Sequence, residues 1–192
     1  MNPLRAFIAV EIPPDIQEAV YNATASLQKR IGSAVRWVPV KNVHLTLKFL
    51  GDVSPLNVEM LSQVLRAEAE LCPCFDLRLH RLGSFPNLKR PRVIYIGIQA
   101  HPILEGLQRG IEFASRKLGY ESEERGFSPH LTIGRVRQNA NTAEQQTIRR
   151  ALEETRIDSL GTARVDSVHL YRSDLKPAGS VYTRLYSAPL KR

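Results

Sequence analysis

The pattern His-x-Thr-x occurs twice in similar surroundings, and it restricts the fold more than any other feature of the sequence. The two copies are His44-Leu45-Thr46-Leu47 and His130-Leu131-Thr132-Ile133. Each copy alternates polar and apolar residues, which is typical of a half-buried β-strand. Two copies in matching contexts, one in each half of the chain, predict two similar α/β lobes. We expect each lobe to contribute one strand to a shared central groove.

The alternation of side chains along a strand explains why this spacing matters. His44 and Thr46 point to the same side about 6.8 Å apart, as do His130 and Thr132. The residues between them face the other way, so each strand can bury an apolar face and present an imidazole and a hydroxyl on the opposite face. For either copy alone, a half-exposed strand with an incidental histidine and threonine is the better explanation. The paired occurrence favours the groove.

The rest of the chain predicts short strands that alternate with helices. Strands are expected at residues 5–12, 35–38, 43–50, 75–82, 93–98, 130–136, near 163–171 and 181–187. Helices are expected from residue 14 to about 30, 55 to about 71, 102 to about 118 and 142 to about 154. On the second helix, four residues are expected near one face: Leu56, Met60, Val64 and Leu71. An acidic-to-basic loop is expected at residues 121–125.

These elements define an α+β fold of two pseudo-symmetric α/β lobes, with mostly antiparallel sheets around a central cleft. Residues 1–192 would form a single bilobal domain with one motif in each lobe. The length of 192 residues and a hydrophobic content of 43% are ordinary for such a domain. Nothing in the sequence demands an oligomer, so a monomer is expected.

Composition and charge narrow the class of protein further. Arg5, Glu11 and Asp15 interrupt the apolar start, and no stretch reaches the roughly 20 apolar residues of a membrane helix, so we expect a cytoplasmic protein. Cys72 and Cys74 are too close for an ordinary disulfide and too few for a zinc site, which predicts packing residues. The net charge of +8 fits a polyanionic partner, although solubility explains it equally well.

The two histidines fit the chemistry of phosphodiester hydrolysis. In-line attack by water needs one group to accept the water proton and another, across phosphorus, to protonate the leaving oxygen. Imidazole suits both roles because its ordinary pKa of about 6.5 allows either protonation state near neutral pH. The threonine hydroxyls can donate hydrogen bonds to the non-bridging oxygens. Neither motif supplies an Asp or Glu in register with the histidines, so no metal site is expected.

Longer segments around the motifs resemble a known family. Residues 36–39 and 42–51 resemble its first motif with its lead-in, residues 127–135 resemble its second, and residues 170–173 and 179–182 add to the likeness. The family is the two-histidine phosphoesterases, in the branch of RNA 2′,3′-cyclic phosphodiesterases historically called 2′-5′ RNA ligases. The resemblance implies two pseudo-symmetric lobes around a positively lined cleft, with no metal and no cofactor.

The resemblance also implies residue roles. His44 would be the proton donor to the leaving ribose oxygen and His130 the proton acceptor from water, while Thr46 and Thr132 would hold the phosphate. Two further positions of the family's pattern are occupied by Arg135, a phosphate contact, and by Phe49, which would stack on a base. Both lie five residues past a histidine, so they reach the groove only if the strand ends, twists or bulges first.

The expected activity is therefore hydrolysis of an RNA 2′,3′-cyclic phosphodiester to a 2′-phosphomonoester. Two alternatives stay open, namely 2′-5′ ligation by the reverse chemistry and a module that binds RNA ends without chemistry. Transfer-RNA fragments and small cyclic nucleotides are both candidate substrates. The basic segment with Lys89, Arg90 and Arg92 beside Phe85 could grip an RNA backbone, and it could equally be a solvated loop.

Overall fold

In this computed structural model the chain is described over residues 3–99, 101–123, 126–176 and 179–192. Within these residues the helices are α1 (Pro14–Ile31), α2 (Asn57–Leu71), α3 (Pro102–Lys117) and α4 (Thr142–Glu154). The strands are β1 (Leu4–Glu11), β2 (Val35–Trp37), β3 (His44–Val53), β4 (Phe75–Phe85), β5 (Val93–Ile98), β6 (His130–Val136), β7 (Thr162–Val165), β8 (Ser167–Lys176) and β9 (Gly179–Pro189). None of the described helices is long and apolar enough to cross a membrane.

The strands form a curled sheet whose described strand pairs are all antiparallel. Its order is β7-β4-β5-β6-β3-β1-β8-β9, and β2 pairs with the later part of β6. Across the centre, the described residues of β3 and β6 pair through Leu45 and Leu131 alone. The sheet is therefore divided into two segments that meet at this pair, and each segment carries one His-x-Thr-x motif at its inner edge. The predicted α+β class with mostly antiparallel strands is confirmed.

Apolar side chains at helical and strand spacing build the core between the helices and the sheet. On α1 they recur every three or four residues, at Ile16, Val20, Leu27 and Ile31. The apolar residues of both motifs are buried: Leu45, Leu47, Leu131 and Ile133. Helix α3 packs on β3, α2 packs on α3, β8 and β9, and α1 packs on α4. The motif strands thus have one face in the core, as predicted, and the other face is left for the histidines.

The four residues expected near one face of α2 do not form its buried face. Leu56 and Leu71 are 78% and 80% exposed, and Met60 is also exposed. Three other residues of this helix are buried in the core: Leu61, Leu65 and Ala69. Both sets have helical spacing, so periodicity alone could not choose between them. The stripe that faces the core is fixed by the packing of α2 against α3, β8 and β9.

The strand predicted near residues 163–171 is in fact two strands. It is interrupted at Asp166, where β7 ends and β8 begins. β7 pairs with β4 in one segment of the sheet, whereas β8 pairs with β1 and β9 in the other. The chain therefore changes segments within one residue, which requires the sheet to curl. Part of the loop expected at residues 121–125 lies outside the described residues.

The cysteines pack as expected. Cys72 is a buried member of the core, and Cys74 packs against it as a half-buried neighbour. Both are free thiols.

Candidate active site

The Leu45–Leu131 pair brings the two motifs together. Because the strands are antiparallel, extending this register by one residue in each direction sets His44 opposite Thr132 and Thr46 opposite His130. Residues that are opposite each other point to the same face of the sheet, here the face away from the buried leucines. The histidines are then diagonal neighbours, a relation that separates residues by roughly 7–8 Å. A phosphate group placed between them can be reached from both sides.

Both imidazoles are oriented in the same way. Nδ1 of His44 donates to the carbonyl oxygen of Asn42 at 2.7 Å, and Nδ1 of His130 donates to that of Ser128, also at 2.7 Å. A carbonyl oxygen can only accept, so Nδ1 carries a proton in both rings. In the neutral rings Nε2 is therefore the basic nitrogen, and it is the atom left for chemistry. In His44, Nε2 accepts a hydrogen bond from the Thr46 hydroxyl at 3.1 Å.

Nε2 of His130 has no hydrogen-bond partner within the described part of the chain, and His130 is half-buried. Its basic nitrogen is thus open to a water molecule, whereas that of His44 is held by a threonine. This difference suits a proton acceptor from water at His130 more than at His44.

Aromatic side chains form a wall on each side of the site. The ring of His44 stacks on Phe7 with centroids 4.9 Å apart, and Tyr182 meets it edge-on at 5.3 Å. On the other side, Phe85 meets His130 edge-on at 4.9 Å, and the Tyr95 ring lies 5.3 Å from it. These rings exclude water from the flanks of the imidazoles and hold their planes.

The wall beside His44 continues into a polar network. Tyr171 stacks on Phe7 at 5.4 Å and donates its hydroxyl hydrogen to Glu11. Arg184 holds the same carboxylate at 3.3 Å, and the buried His169 lies 3.9 Å from it. The stack behind His44 is therefore anchored at its far end.

A β-bulge returns Phe49 to the site face. In the pairing of β1 with β3, Ala9 is opposite Thr46 while Ile8 is opposite Lys48, so one residue of β3 is extra. Leu47 and Lys48 are consecutive buried residues, and Phe49 after them is 56% exposed. Its ring lies 6.4 Å from that of Phe7, on the side of His44. The strand therefore bulges before Phe49, as this residue needs in order to reach the same face as His44.

A second bulge, in β6 between His130 and Arg135, returns Arg135 to the site face. Between β5 and β6, Tyr95 is opposite Thr132 while Ile94 is opposite Gly134. Arg135 then lies opposite Val93, on the face of Tyr95, and its charge acts on both histidines. A side chain at Gly134 would come within 2.6 Å of Val35 Cγ1, so the bulge needs a glycine there.

Arg36 is a second cation beside Arg135, and the sequence assigned it no role. It pairs directly with Arg135 across β2 and β6. Two like charges opposite each other are unfavourable in a sheet. Neither arginine has a carboxylate partner among the described residues. The pair is a place where an anion would relieve the repulsion.

The pKa values of the two histidines are shifted in the same direction. Burial lowers the pKa of His44, and the charges of Arg135 and His130 lower it further, against the opposing effect of the Asn42 carbonyl. Burial likewise lowers the pKa of His130, with Arg135 acting in the same sense. Without a bound anion both rings therefore favour their neutral form, and a negatively charged ligand between them would favour protonation.

Two further histidines have structural contacts away from the paired motifs. His101 caps α3 by accepting from the backbone N–H of Ile103, and His169 is buried between two serines. Over the described ranges, no three side chains of His, Cys, Asp or Glu gather as metal ligands. A metal-independent reaction stays a prediction for experiment.

Comparison with known proteins gives a consistent result. A family model described as LigT like phosphoesterase matches residues 10–95. The RNA 2′,3′-cyclic phosphodiesterase of Methanothermobacter thermautotrophicus is 32% identical over 180 residues, which cover 94% of this chain and 95% of that protein. The crystal structure of Escherichia coli LigT complexed with 3′-AMP has a TM-score of 0.77 and 28% identity, with 99% of both chains covered. A crystal structure from Thermus thermophilus has a TM-score of 0.81, 27% identity and 97% coverage of both chains.

The fold is α+β with a curled sheet, and each segment of the sheet contributes one His-x-Thr-x strand to its centre. These features define a two-histidine phosphoesterase. The full-length match to the archaeal relative includes both motifs, whereas the family model covers the first. The chain belongs to the LigT-like phosphoesterases. The resemblance stated from the motifs is thereby confirmed.

Proposed function

We propose that the protein hydrolyses the 2′,3′-cyclic phosphodiester at the end of an RNA. The observation that carries this proposal is the Leu45–Leu131 pair, because its register, extended by one residue, would make the two histidines diagonal neighbours. Nδ1 of each ring meets a backbone carbonyl, which leaves Nε2 for the reaction. Several relatives are named RNA 2′,3′-cyclic phosphodiesterase, which supports the substrate class. The single bilobal domain expected from the sequence is part of the proposal, because the site needs one histidine from each segment of the sheet.

The reaction divides between the two rings. Nε2 of His130 accepts a proton as water attacks phosphorus, and protonated Nε2 of His44 donates to the departing ribose 3′ oxygen. A bond forms between phosphorus and the water oxygen, and the bond to the 3′ oxygen breaks. The products are a 2′-phosphate and a 3′-hydroxyl, so one proton enters at His130 and one leaves from His44. A second proton exchange with solvent restores the starting state.

The neighbouring polar and aromatic groups bind the substrate in this proposal. Thr46 and Thr132 donate hydrogen bonds to the non-bridging oxygens, and Arg135 neutralises the charge that develops on them. When the phosphate is bound, the Thr46 hydroxyl leaves Nε2 of His44, which frees this atom for the leaving oxygen. Phe49, exposed beside Phe7, stacks on the terminal base.

One assay tests the activity and the absence of a metal requirement together. Purified protein incubated with a 2′,3′-cyclic mononucleotide and excess EDTA is expected to release a 2′-phosphate, identified against synthetic 2′- and 3′-phosphates by chromatography. Product that disappears with EDTA and returns with added metal would overturn the metal-free mechanism. Binding of the nucleotide without turnover would instead favour a module that binds RNA ends.

The Arg135→Lys variant is expected to lose about 10- to 100-fold in kcat/KM, the effect of one or two charge-assisted hydrogen bonds. A guanidinium can hold two phosphate oxygens at once, and an ammonium group cannot reproduce this geometry. Steady-state kinetics with the cyclic mononucleotide measure the loss. Arg150→Lys on the exposed surface of α4 is the matched control, and equal activity of both variants would remove Arg135 from the site.

A further inference from the structure

The outer flank of the His130 wall contains an open cavity of about 620 Å³, a size within the range of ligand pockets. It is lined by Gly83, Ser84, Asn87, Leu88, Lys89 and Tyr95. Tyr95 contacts both His130 and this cavity, so the cavity and the proposed catalytic site are neighbours.

A continuous surface leads from the site to this cavity. Thr132 is opposite Tyr95, and Tyr95 is opposite Gly83, so the three positions form a row across β6, β5 and β4. The row spans two strand spacings, about 9.6 Å. A side chain at Gly83 would come within 2.5 Å of Tyr95 Cζ, so glycine allows the tyrosine ring to lie over the strand. The surface between the site and the cavity is therefore formed by the Tyr95 ring.

The segment beyond the cavity is basic and structurally defined. Lys89, Arg90 and Arg92 are exposed, and none of them lies within 4.0 Å of a carboxylate oxygen of the described residues. The Asn87 side chain accepts from the backbone N–H groups of Lys89 and Arg90, both at 3.0 Å. The backbone of Arg92 donates to Phe85 at 2.7 Å and closes the loop. The backbone that carries these cations is therefore held in place, and their charges have no carboxylate partner among the described residues.

A second cavity lies beside β3, which is separated from β5 by β6, and its charged lining residues have the other sign of charge. This cavity of about 640 Å³ beside Phe49 has three carboxylate side chains among its lining residues, namely Asp52, Glu121 and Glu123. Such a surface repels a phosphate backbone and leaves room for a neutral base. The difference in charge between the two cavities therefore favours one orientation of a bound RNA strand, with its phosphates near Lys89.

We propose that the Tyr95 cavity and the basic segment behind it form a subsite for the nucleotide on the 5′ side of the cyclic phosphate. This proposal rests on the proposed function and adds a preference within its substrates: oligonucleotides are preferred to mononucleotides. The terminal base lies on the Phe49 side, the upstream base or ribose lies over Tyr95, and the upstream phosphates pair with Lys89 and Arg90. Aromatic stacking and phosphate contacts are the usual means of binding single-stranded RNA.

The test compares kcat/KM for a uridine tetranucleotide ending in a 2′,3′-cyclic phosphate with that for 2′,3′-cyclic UMP. The wild-type protein is expected to prefer the tetranucleotide at least tenfold. Lys89→Glu should reduce this preference about tenfold and leave the mononucleotide rate unchanged, because the residue lies outside the catalytic pair. The salt dependence of the tetranucleotide kcat/KM should become shallower by about one unit of its log–log slope. The matched control is Lys29→Glu on the exposed face of α1, which should change neither substrate.

Three outcomes would overturn the subsite: no wild-type preference, equal losses on both substrates in Lys89→Glu, or the same effect from Lys29→Glu. Failure of the proposed function is a separate result, since wild-type protein would then leave both substrates intact. In that case, fluorescence anisotropy with a labelled tetranucleotide ending in a 2′-phosphate still tests the subsite. Weaker binding by Lys89→Glu than by Lys29→Glu would support the subsite, and equal binding would contradict it.

Discussion

Replacing either histidine of the pair is expected to remove about 100- to 10,000-fold of the activity toward a 2′,3′-cyclic nucleotide, the usual contribution of a positioned acid or base. His44→Ala and His130→Ala should both stay folded, because neither ring is part of the main hydrophobic core, and His44 packs only on the small separate cluster that contains Phe7. The double variant should be little worse than either single one, since an acid and a base that act in one step fail together. Single-turnover rates measure the losses, and circular dichroism measures folding.

The matched control is a histidine whose contacts are structural. His101→Ala removes the side chain that caps α3, which is expected to cost about 0.5–2 kcal/mol in the free energy of unfolding. It should keep near wild-type activity. The two kinds of variant thus separate lost stability from lost chemistry. Unfolded His44→Ala or His130→Ala protein, or losses that simply multiply in the double variant, would contradict a concerted pair.

The part of the site that sequence could predict is local. Alternation along one strand places His44 and Thr46 on one face, and the same holds for His130 and Thr132, without knowledge of any partner strand. The structure places all four residues on the face opposite the buried leucines. The common orientation of the rings through the carbonyl two residues earlier is also local, but no sequence pattern shows which backbone atom a ring will meet.

The parts that could not be predicted depend on pairing between distant strands. The two bulges that return Phe49 and Arg135 to the site are visible only in the registers of β1 with β3 and of β5 with β6. The sequence does not distinguish Phe7, because β1 is an almost unbroken apolar strand, in which an aromatic residue is expected to be core. Phe7 is indeed buried, but in a small cluster with Ala9 and Tyr171 apart from the main core, and its ring stacks on His44. Arg36 meets Arg135 through a strand of only three residues.

The two flanks of the site show why net charge alone was a weak guide. An excess of +8 does not say where the cations lie. In the structure the carboxylates line a cavity beside β3, whereas Lys89 lines a cavity beside β4 and β5, with β6 between the two. Binding of an RNA end depends on this separation of charge, which the amino-acid composition does not contain.

The rate is expected to depend on pH as a bell that persists in excess chelator, because the reaction needs one neutral and one protonated imidazole. Burial lowers both pKa values, so both limbs of kcat/KM should lie at lower pH than those of free imidazoles. In the complex, the negative phosphate stabilises the imidazolium and raises these pKa values, so the limbs of kcat should move to higher pH. The two groups interact, so the apparent pKa values belong to the pair and variants are needed to assign them.

Substrates that need no acid give the sharpest assignment of roles. A nucleoside phosphate aryl ester releases a stable phenolate, so protonation of its leaving group contributes little to the rate. His44→Ala should therefore recover most of its about 100- to 10,000-fold loss on this ester. His130→Ala should stay inactive, because water still needs a base. Rates of both variants on the aryl ester and on the cyclic nucleotide, each relative to wild type, measure the difference. Recovery by His130→Ala instead would mean that the donor and acceptor roles are reversed, which the similar orientation of the two rings permits.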